Sequence, residues 1–260
     1  MNALISMLRL SIGFVFVSVT AIITCIIAIP LLPSRPMRIK LCNYYGKLVG
    51  YVVTRIAAVT PHVNHRERLN DSAPAVYIAN HTSTLDAFIS IWLCPIGGCG
   101  IMKKEVLRIP FFGQLYRLSG HLVLDRAKPQ EAIAMLAGLA EIVKRHRLSI
   151  WIMPEGTRSK DGRLLPFKKG FVHLALATGL PVVPVVIHGA NKNWQKGTFR
   201  FRKTNVTIDV LEPIDTKGWT AETAEAHALE VHDLVAAALS AEQQPALALE
   251  RDETPALAMA

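Results

Sequence analysis

A chain of 260 residues that is 51% hydrophobic and 19% charged can bury one ample core, which excludes a disordered or highly solvated polymer. Its formal net charge of +9 asks for an anionic partner, either a membrane surface or a nucleic acid. Its four cysteines, Cys25, Cys42, Cys94 and Cys99, show no CxxC or zinc-like spacing and read as buried thiols of a cytosol-facing protein, not as a disulfide or metal framework.

The N-terminal region is the most apolar. Between Arg9 and Arg35 run 25 uncharged residues, LSIGFVFVSVTAIITCIIAIPLLPS. As a helix they would reach about 37 Å, enough for the roughly 30 Å of hydrocarbon in a bilayer. A cleaved signal would have a shorter apolar region followed by a small-residue cleavage site, so the run is read as a retained anchor. Arg35, Arg38 and Lys40 after it, against Arg9 before it, place the downstream side in the cytoplasm by the positive-inside tendency. The next segment, 41–59, carries only Lys47 and Arg55, on one edge of a helical wheel. That suits a helix lying in the interface with its cations snorkelling, and a second span is the competing reading. The mean hydropathy of +0.30 agrees that part of the chain faces lipid.

Residues 60–74 are polar. Beyond them, short Val- and Ile-rich runs at 75–79, 99–103, 121–125, 148–153, 181–187 and 205–210 predict strands, and 127–147, 167–178 and 220–242 have helical spacing. The alternation predicts an α/β fold, a largely parallel sheet flanked by helices, with ligands at the carboxyl ends of its strands. The expected organisation is a membrane-embedded helical segment at 1–60 (one apolar helix plus one amphipathic helix), a domain at 61–242 and a mobile tail at 243–260.

Chemistry-bearing residues gather where strands are expected to end. In IANHTSTLDAF, 78–88, His81 and Asp86 stand five apart. Inside one helix they would point about 140° apart and could not meet. The strand ends at Asn80 and the helix begins near Thr84, so His81 falls in the turn, Thr82 or Ser83 can cap the helix, and Asp86 sits in its first turn. An imidazole held by a carboxylate through Nδ1–H offers Nε2 as a base toward a hydroxyl. No G-x-S-x-G elbow occurs, so that hydroxyl would belong to a substrate; on spacing alone a chance pair is the better reading. In IMPEGTRS, 152–159, Gly156 permits a tight turn, Arg158 offers a planar fork suited to phosphate, and Glu155 could orient it or hydrogen-bond a substrate hydroxyl. SGHLVLDR, 119–126, ends in Asp125 and Arg126, and MKKEVLRIPFFGQ, 102–114, carries Lys103 and Lys104. If those strands are parallel neighbours, Lys103, Lys104, Arg126 and Arg158 form a basic cluster beside His81; taken singly, each is an ordinary solvated charge. His62 and His65 read as surface residues and His121, His173 and His188 as structural, so no metal site is expected.

The blocks NHTSTLD, GHLVLDR, MPEGTRS and LPVVPV (180–185), in this order, resemble the glycerolipid acyltransferase family that includes the 1-acyl-sn-glycerol-3-phosphate acyltransferases. KKEVLRIPFFGQLY and LLPFKKGFVHLALATG resemble the text that flanks these blocks. Met153 stands where the family usually has phenylalanine, one apolar residue for another. The resemblance, from about Pro74 to Val186, implies direct transfer of an acyl group from acyl-CoA or acyl-acyl-carrier protein to the sn-2 hydroxyl of 1-acyl-glycerol-3-phosphate, forming phosphatidic acid. In it His81 is the base and Asp86 its orienting partner. Lys104, Arg126, Glu155, Gly156, Thr157 and Arg158 form the acceptor site, and Pro184 belongs to the fourth block. The thioester is a co-substrate, and neither a cofactor nor a metal is implied. Another lysolipid, or glycerol-3-phosphate, is the alternative acceptor, and a non-catalytic lipid-binding protein of the membrane surface is the alternative class. A nucleic-acid partner is not expected, because no aromatic-basic platform is visible.

Overall fold

The computed structural model describes residues 3–124, 129–195 and 197–245, with backbone only at 124 and 129–137. In chain order the elements are α1 (Ala3–Ala28), α2 (Arg35–Ile56), β1 (His62–Asn64), α3 (Arg68–Asp71), β2 (Val76–Ala79), α4 (Leu85–Leu93), β3 (Gly98–Lys103), α5 (Phe112–Leu118), β4 (Leu122–Leu124), α6 (Pro129–His146), β5 (Ser149–Ile152), α7 (Gly170–Thr178), β6 (Val182–His188), α8 (Ala190–Asn193), β7 (Thr207–Val210) and α9 (Ala224–Ala238). The strands form one sheet in the order β1-β7-β6-β2-β5-β3-β4. Every pairing is parallel except β6 with β7.

Burial on both faces explains the sheet's sequence. All four residues of β2, the central strand, are buried, and successive side chains serve opposite faces. Tyr77 and Ala79 pack with Leu85, Ile89 and Leu93 of α4. Val76 and Ile78 pack with Leu139 and Val143 of α6, Phe171 and Leu174 of α7, and Ala228 and Val231 of α9. Each such aliphatic side chain contributes about 1.5–3 kcal/mol on burial, so the sandwich is strongly specified.

The α1–α2 hairpin covers the outer side of α4. Gly46 and Gly50 of α2 face α4: a Cβ at Gly50 would lie 2.3 Å from the Phe88 carbonyl oxygen and 2.6 Å from Trp92 Cβ. This small-residue pair lets two helix backbones approach closely. The α1 helix turns Ser6, Gly13, Ser18, Ala21 and Thr24 inward and its large apolar side chains outward, with Leu4 at 78% and Leu8 at 62% exposure. Among the described residues it supplies the one stretch, Ala3–Leu31, long and apolar enough to cross a membrane.

Several expectations shift. Arg9 does not bound the apolar helix but lies inside it, and its Nη1 donates to the carbonyl of Ile56 at 2.9 Å. Arg35 and Arg38, which carry the orientation argument, donate to the carbonyls of Gly120 (2.8 Å) and Leu118 (2.5 Å). The polar stretch 60–74 contains the edge strand β1, and α5 lies in a stretch with no predicted element. Gln243, the first residue of the expected tail, is buried and takes the Gly189 N–H on its side chain at 2.9 Å; residues 246–260 of that tail lie outside the described residues.

Candidate active site

The parallel strands β2, β5 and β3 end on one side of the sheet, so the blocks that follow β2 and β5 and the lysines that close β3 converge there, whereas the fourth block, 180–185, runs into β6 itself and residues 125–126 lie outside the described residues. The register pairs Ile78 with Ile152, which carries the chain three residues later to His81 after one strand and Glu155 after the other. Both backbone groups of His81 are taken up by the loop after β5. Its N–H donates to Glu155 Oε1 at 2.5 Å, and its carbonyl accepts from the Ser159 N–H at 2.9 Å. On the other side, the Asn80 amide brackets Ile187 of β6, donating to its carbonyl at 2.9 Å and accepting from its N–H at 2.7 Å. The histidine backbone is thus clamped between both neighbouring strands.

His81 precedes α4 and its ring folds back. Nδ1 lies 3.3 Å from Asp86 Oδ2, the contact that the turn makes possible and a continuous helix would forbid. The same oxygen accepts the N–H groups of Thr82 and Ser83, each at 2.6 Å. Thr84, at the N-cap, makes no side-chain cap bond. Instead Asp86 reaches back to the turn, and Ser83 Oγ accepts the Leu85 N–H at 3.0 Å. Asp86 is fully buried, whereas the His81 side chain keeps 17% exposure. With Nδ1 committed to the carboxylate, Nε2 is the nitrogen left for a proton from outside.

Glu155 does not orient Arg158. It is buried, and its second oxygen accepts the Leu165 N–H at 3.1 Å, so both oxygens serve backbone amides. Burial, more than the nearby Asp86 charge, pushes its carboxyl up to about 8, against the two amide bonds that pull it down. Arg158 instead donates to Thr84 Oγ1, tying the PEGTRS loop to the start of α4. Gly156 has φ +73, and a Cβ there would meet Lys168 Cε at 3.3 Å and Nζ at 3.4 Å. Thr157 is exposed on the same loop, and Lys104 follows β3 on the solvent side. Lys104 and Arg158 lie in the segments that follow the neighbouring strands β3 and β5; Arg126 lies outside the described residues. Among the described residues no group of three His, Cys, Asp or Glu is placed to hold a metal ion.

Three contributors were missed by the sequence reading. Asn80 and Lys168 stood inside quoted blocks without a role. Trp194 gave no signal, yet its carbonyl accepts from Ser83 Oγ at 2.7 Å and its ring stacks on Phe88.

Comparison with known proteins bears on this geometry. Residues 60–188 match the family model described as Acyltransferase. The 1-acyl-sn-glycerol-3-phosphate acyltransferase of Limnanthes douglasii is 42% identical over 242 residues, covering 93% of this chain and 85% of the relative. The chain belongs to the acyltransferase family. The Escherichia coli (strain K12) protein of the same name is 35% identical over 171 residues, covering 65% of this chain and 69% of that one. Among solved structures, the 1-acyl-sn-glycerophosphate (LPA) acyltransferase PlsC from Thermotoga maritima superposes with a TM-score of 0.73 at 26% identity, covering 90% of this chain and 93% of the other. The resemblance carried by the four blocks therefore extends over nearly the whole chain, hairpin included.

Proposed function

We propose that this acyltransferase moves an acyl group from a thioester to the sn-2 hydroxyl of 1-acyl-glycerol-3-phosphate, forming phosphatidic acid. The observation that carries this reading is the His81–Asp86 contact at 3.3 Å with the ring otherwise open. His81 Nε2 takes the proton of the acceptor hydroxyl as its oxygen attacks the thioester carbonyl. The C–S bond then breaks, and the leaving thiolate takes up the proton from His81. Asp86 holds the tautomer and stabilises the imidazolium. Glu155 fixes the histidine backbone. Arg158, with Lys104 and Thr157, receives the phosphate, a role that the block resemblance extends to Arg126, and Gly156 leaves room for Lys168 against the loop. The donor is acyl-CoA or acyl-acyl-carrier protein, and this reading involves neither a metal nor a cofactor.

The same reading places α1 in one leaflet, with the domain at the cytoplasmic face, the side that its free cysteines suit. What supports this is packing along the helix. Arg9 is tied to Ile56, and Phe14 meets Phe111 with ring centroids 6.4 Å apart. The Val17 carbonyl accepts from the Tyr45 hydroxyl at 3.3 Å. A helix held side-on over this length cannot cross the bilayer without drawing its neighbours into hydrocarbon, whereas its outer face can be immersed. The test offers labelled acyl-CoA with lysophosphatidic acid, glycerol-3-phosphate and neutral lysolipids. Transfer to lysophosphatidic acid alone is expected; transfer to a neutral lysolipid at equal rate would overturn the acceptor assignment.

A further inference from the structure

The segment after α8 holds an exposed apolar and basic cluster with no part in the chemistry above. Phe199 has 71% of its surface exposed, whereas Phe201, two residues on, has 1%. The loop is braced. The Trp194 indole donates to the Thr198 carbonyl at 3.0 Å, the Arg202 N–H donates to the Asn193 carbonyl at 3.0 Å, and Phe201 packs edge-on against Trp194 with centroids 4.7 Å apart. An aromatic ring held in water by a braced loop is unfavourable unless something covers it. Arg200, Arg202 and Lys203 around it are exposed as well.

The Phe201 N–H donates to Ser6 Oγ at 3.3 Å, which sets the loop beside the first turns of α1, where Leu4, Met7 and Leu8 are 78%, 60% and 62% exposed. Between the two lies a depression of about 500 Å³ lined by Ala3, Met7, Thr198, Phe199, Arg200 and Arg202.

We infer that the 197–203 loop is a second membrane contact, taking the phosphate of an anionic phospholipid between Arg200 and Arg202 while Phe199 enters the acyl region beside Met7. This rests on the membrane reading of α1. A lipid surface is the occupant because Phe199 continues the exposed apolar face of α1, and because guanidinium groups flanking an aromatic ring match the headgroup level of an anionic leaflet. The contact bears on catalysis through its root. The Trp194 carbonyl accepts from Ser83 Oγ at 2.7 Å and from the Thr84 N–H at 3.3 Å, so docking the loop sets the height of the catalytic turn over the leaflet that holds the acceptor.

The experiment is co-sedimentation of the full chain with phosphatidylcholine vesicles, with and without about 30 mol% phosphatidylglycerol. The wild type is expected to prefer the anionic vesicles by about tenfold, from about 1 kcal/mol per arginine at the surface less the screening by salt. The R200E/R202E variant should still bind neutral vesicles and lose that preference. The K144E/R145E variant, with the same charge change at the exposed end of α6, should keep it. Phe199→Ser should weaken binding to both vesicles severalfold. Preference unchanged in R200E/R202E, or lost equally in K144E/R145E, would overturn the inference. So would R200E/R202E keeping its vesicle preference but losing transfer from acyl-carrier protein, which would mark an acidic protein as the occupant. Failure of the wild type to bind any vesicle would instead remove the membrane reading of α1 on which the inference stands.

Discussion

Asp86→Asn separates charge from position at the base. The Asp86 carboxylate is fully buried, 3.3 Å from His81 Nδ1, with two backbone N–H groups on the same oxygen. An asparagine of the same shape keeps one acceptor oxygen for these donors and loses the charge. When His81 takes the acceptor's proton its ring becomes a cation facing that carboxylate. At 3.3 Å and an effective dielectric of about 20, two unit charges attract by about 5 kcal/mol. Spreading the imidazolium charge over two nitrogens halves this to about 2.5 kcal/mol, or about 70-fold in rate. The assay is steady-state transfer from a labelled acyl thioester to lysophosphatidic acid in mixed micelles. Asp86→Asn should lower kcat by that order and leave the acceptor KM within about twofold. The new amide N–H₂ would occupy the place of Asp86 Oδ1, which is buried without a hydrogen-bond partner among the described residues, so Tm should also fall by a few degrees. A kcat within about fivefold of wild type, or a loss confined to KM, would refute the argument that the carboxylate's charge stabilises the imidazolium.

Gly50→Ala puts a methyl 2.3 Å from the Phe88 carbonyl oxygen, so α2 must move off α4. Thermal unfolding should show a loss of about 2–3 kcal/mol, and an unchanged Tm would mean that the two helices are not in close contact. Glu155, with its carboxyl raised to about 8 from 4.5, holds a proton in the folded chain that the unfolded chain has lost between those values. Its stabilising contribution is therefore complete below pH about 4.5 and disappears as pH rises through about 8. Tm between pH 5 and 8.5 should fall more steeply in wild type than in Glu155→Gln, which should be less stable overall because one of its two amide contacts becomes donor against donor; parallel Tm curves would contradict the burial argument. Arg158→Ala should raise the KM for lysophosphatidic acid by on the order of tenfold, measured against the KM for the acyl thioester, which should not change.

Legibility in the sequence followed burial. Six strands were readable because strands such as β2 and β6 are Val- and Ile-rich and buried on both faces, which leaves a continuous apolar run between turn residues. The edge strand β1 has only three residues, one of them exposed, so it produced no such run. The His81–Asp86 contact was readable because a turn between Asn80 and the helix is written in the residues themselves. The role of Glu155 was not: a glutamate beside an arginine suggests a pair, and only the β2–β5 register shows that its carboxylate faces backbone N–H groups. Arg9 was read as a boundary by its charge, although a single guanidinium that can reach the Ile56 carbonyl does not end a helix. Gly46 and Gly50 were visible as a small-xxx-small pair in α2 but went unused, because the spacing does not name the helix that it meets.

That one imidazole, His81, performs the proton transfer is the proposal on which the mechanism rests. Its most direct test is single-turnover transfer of a labelled acyl group to lysophosphatidic acid by vesicle-bound protein, comparing wild type with His81→Ala at matched membrane occupancy. His81→Ala is expected to bind vesicles as wild type does, to retain its Tm within a few degrees and to form no phosphatidic acid above background. Phosphatidic acid formed by His81→Ala at a rate near wild type would contradict that proposal.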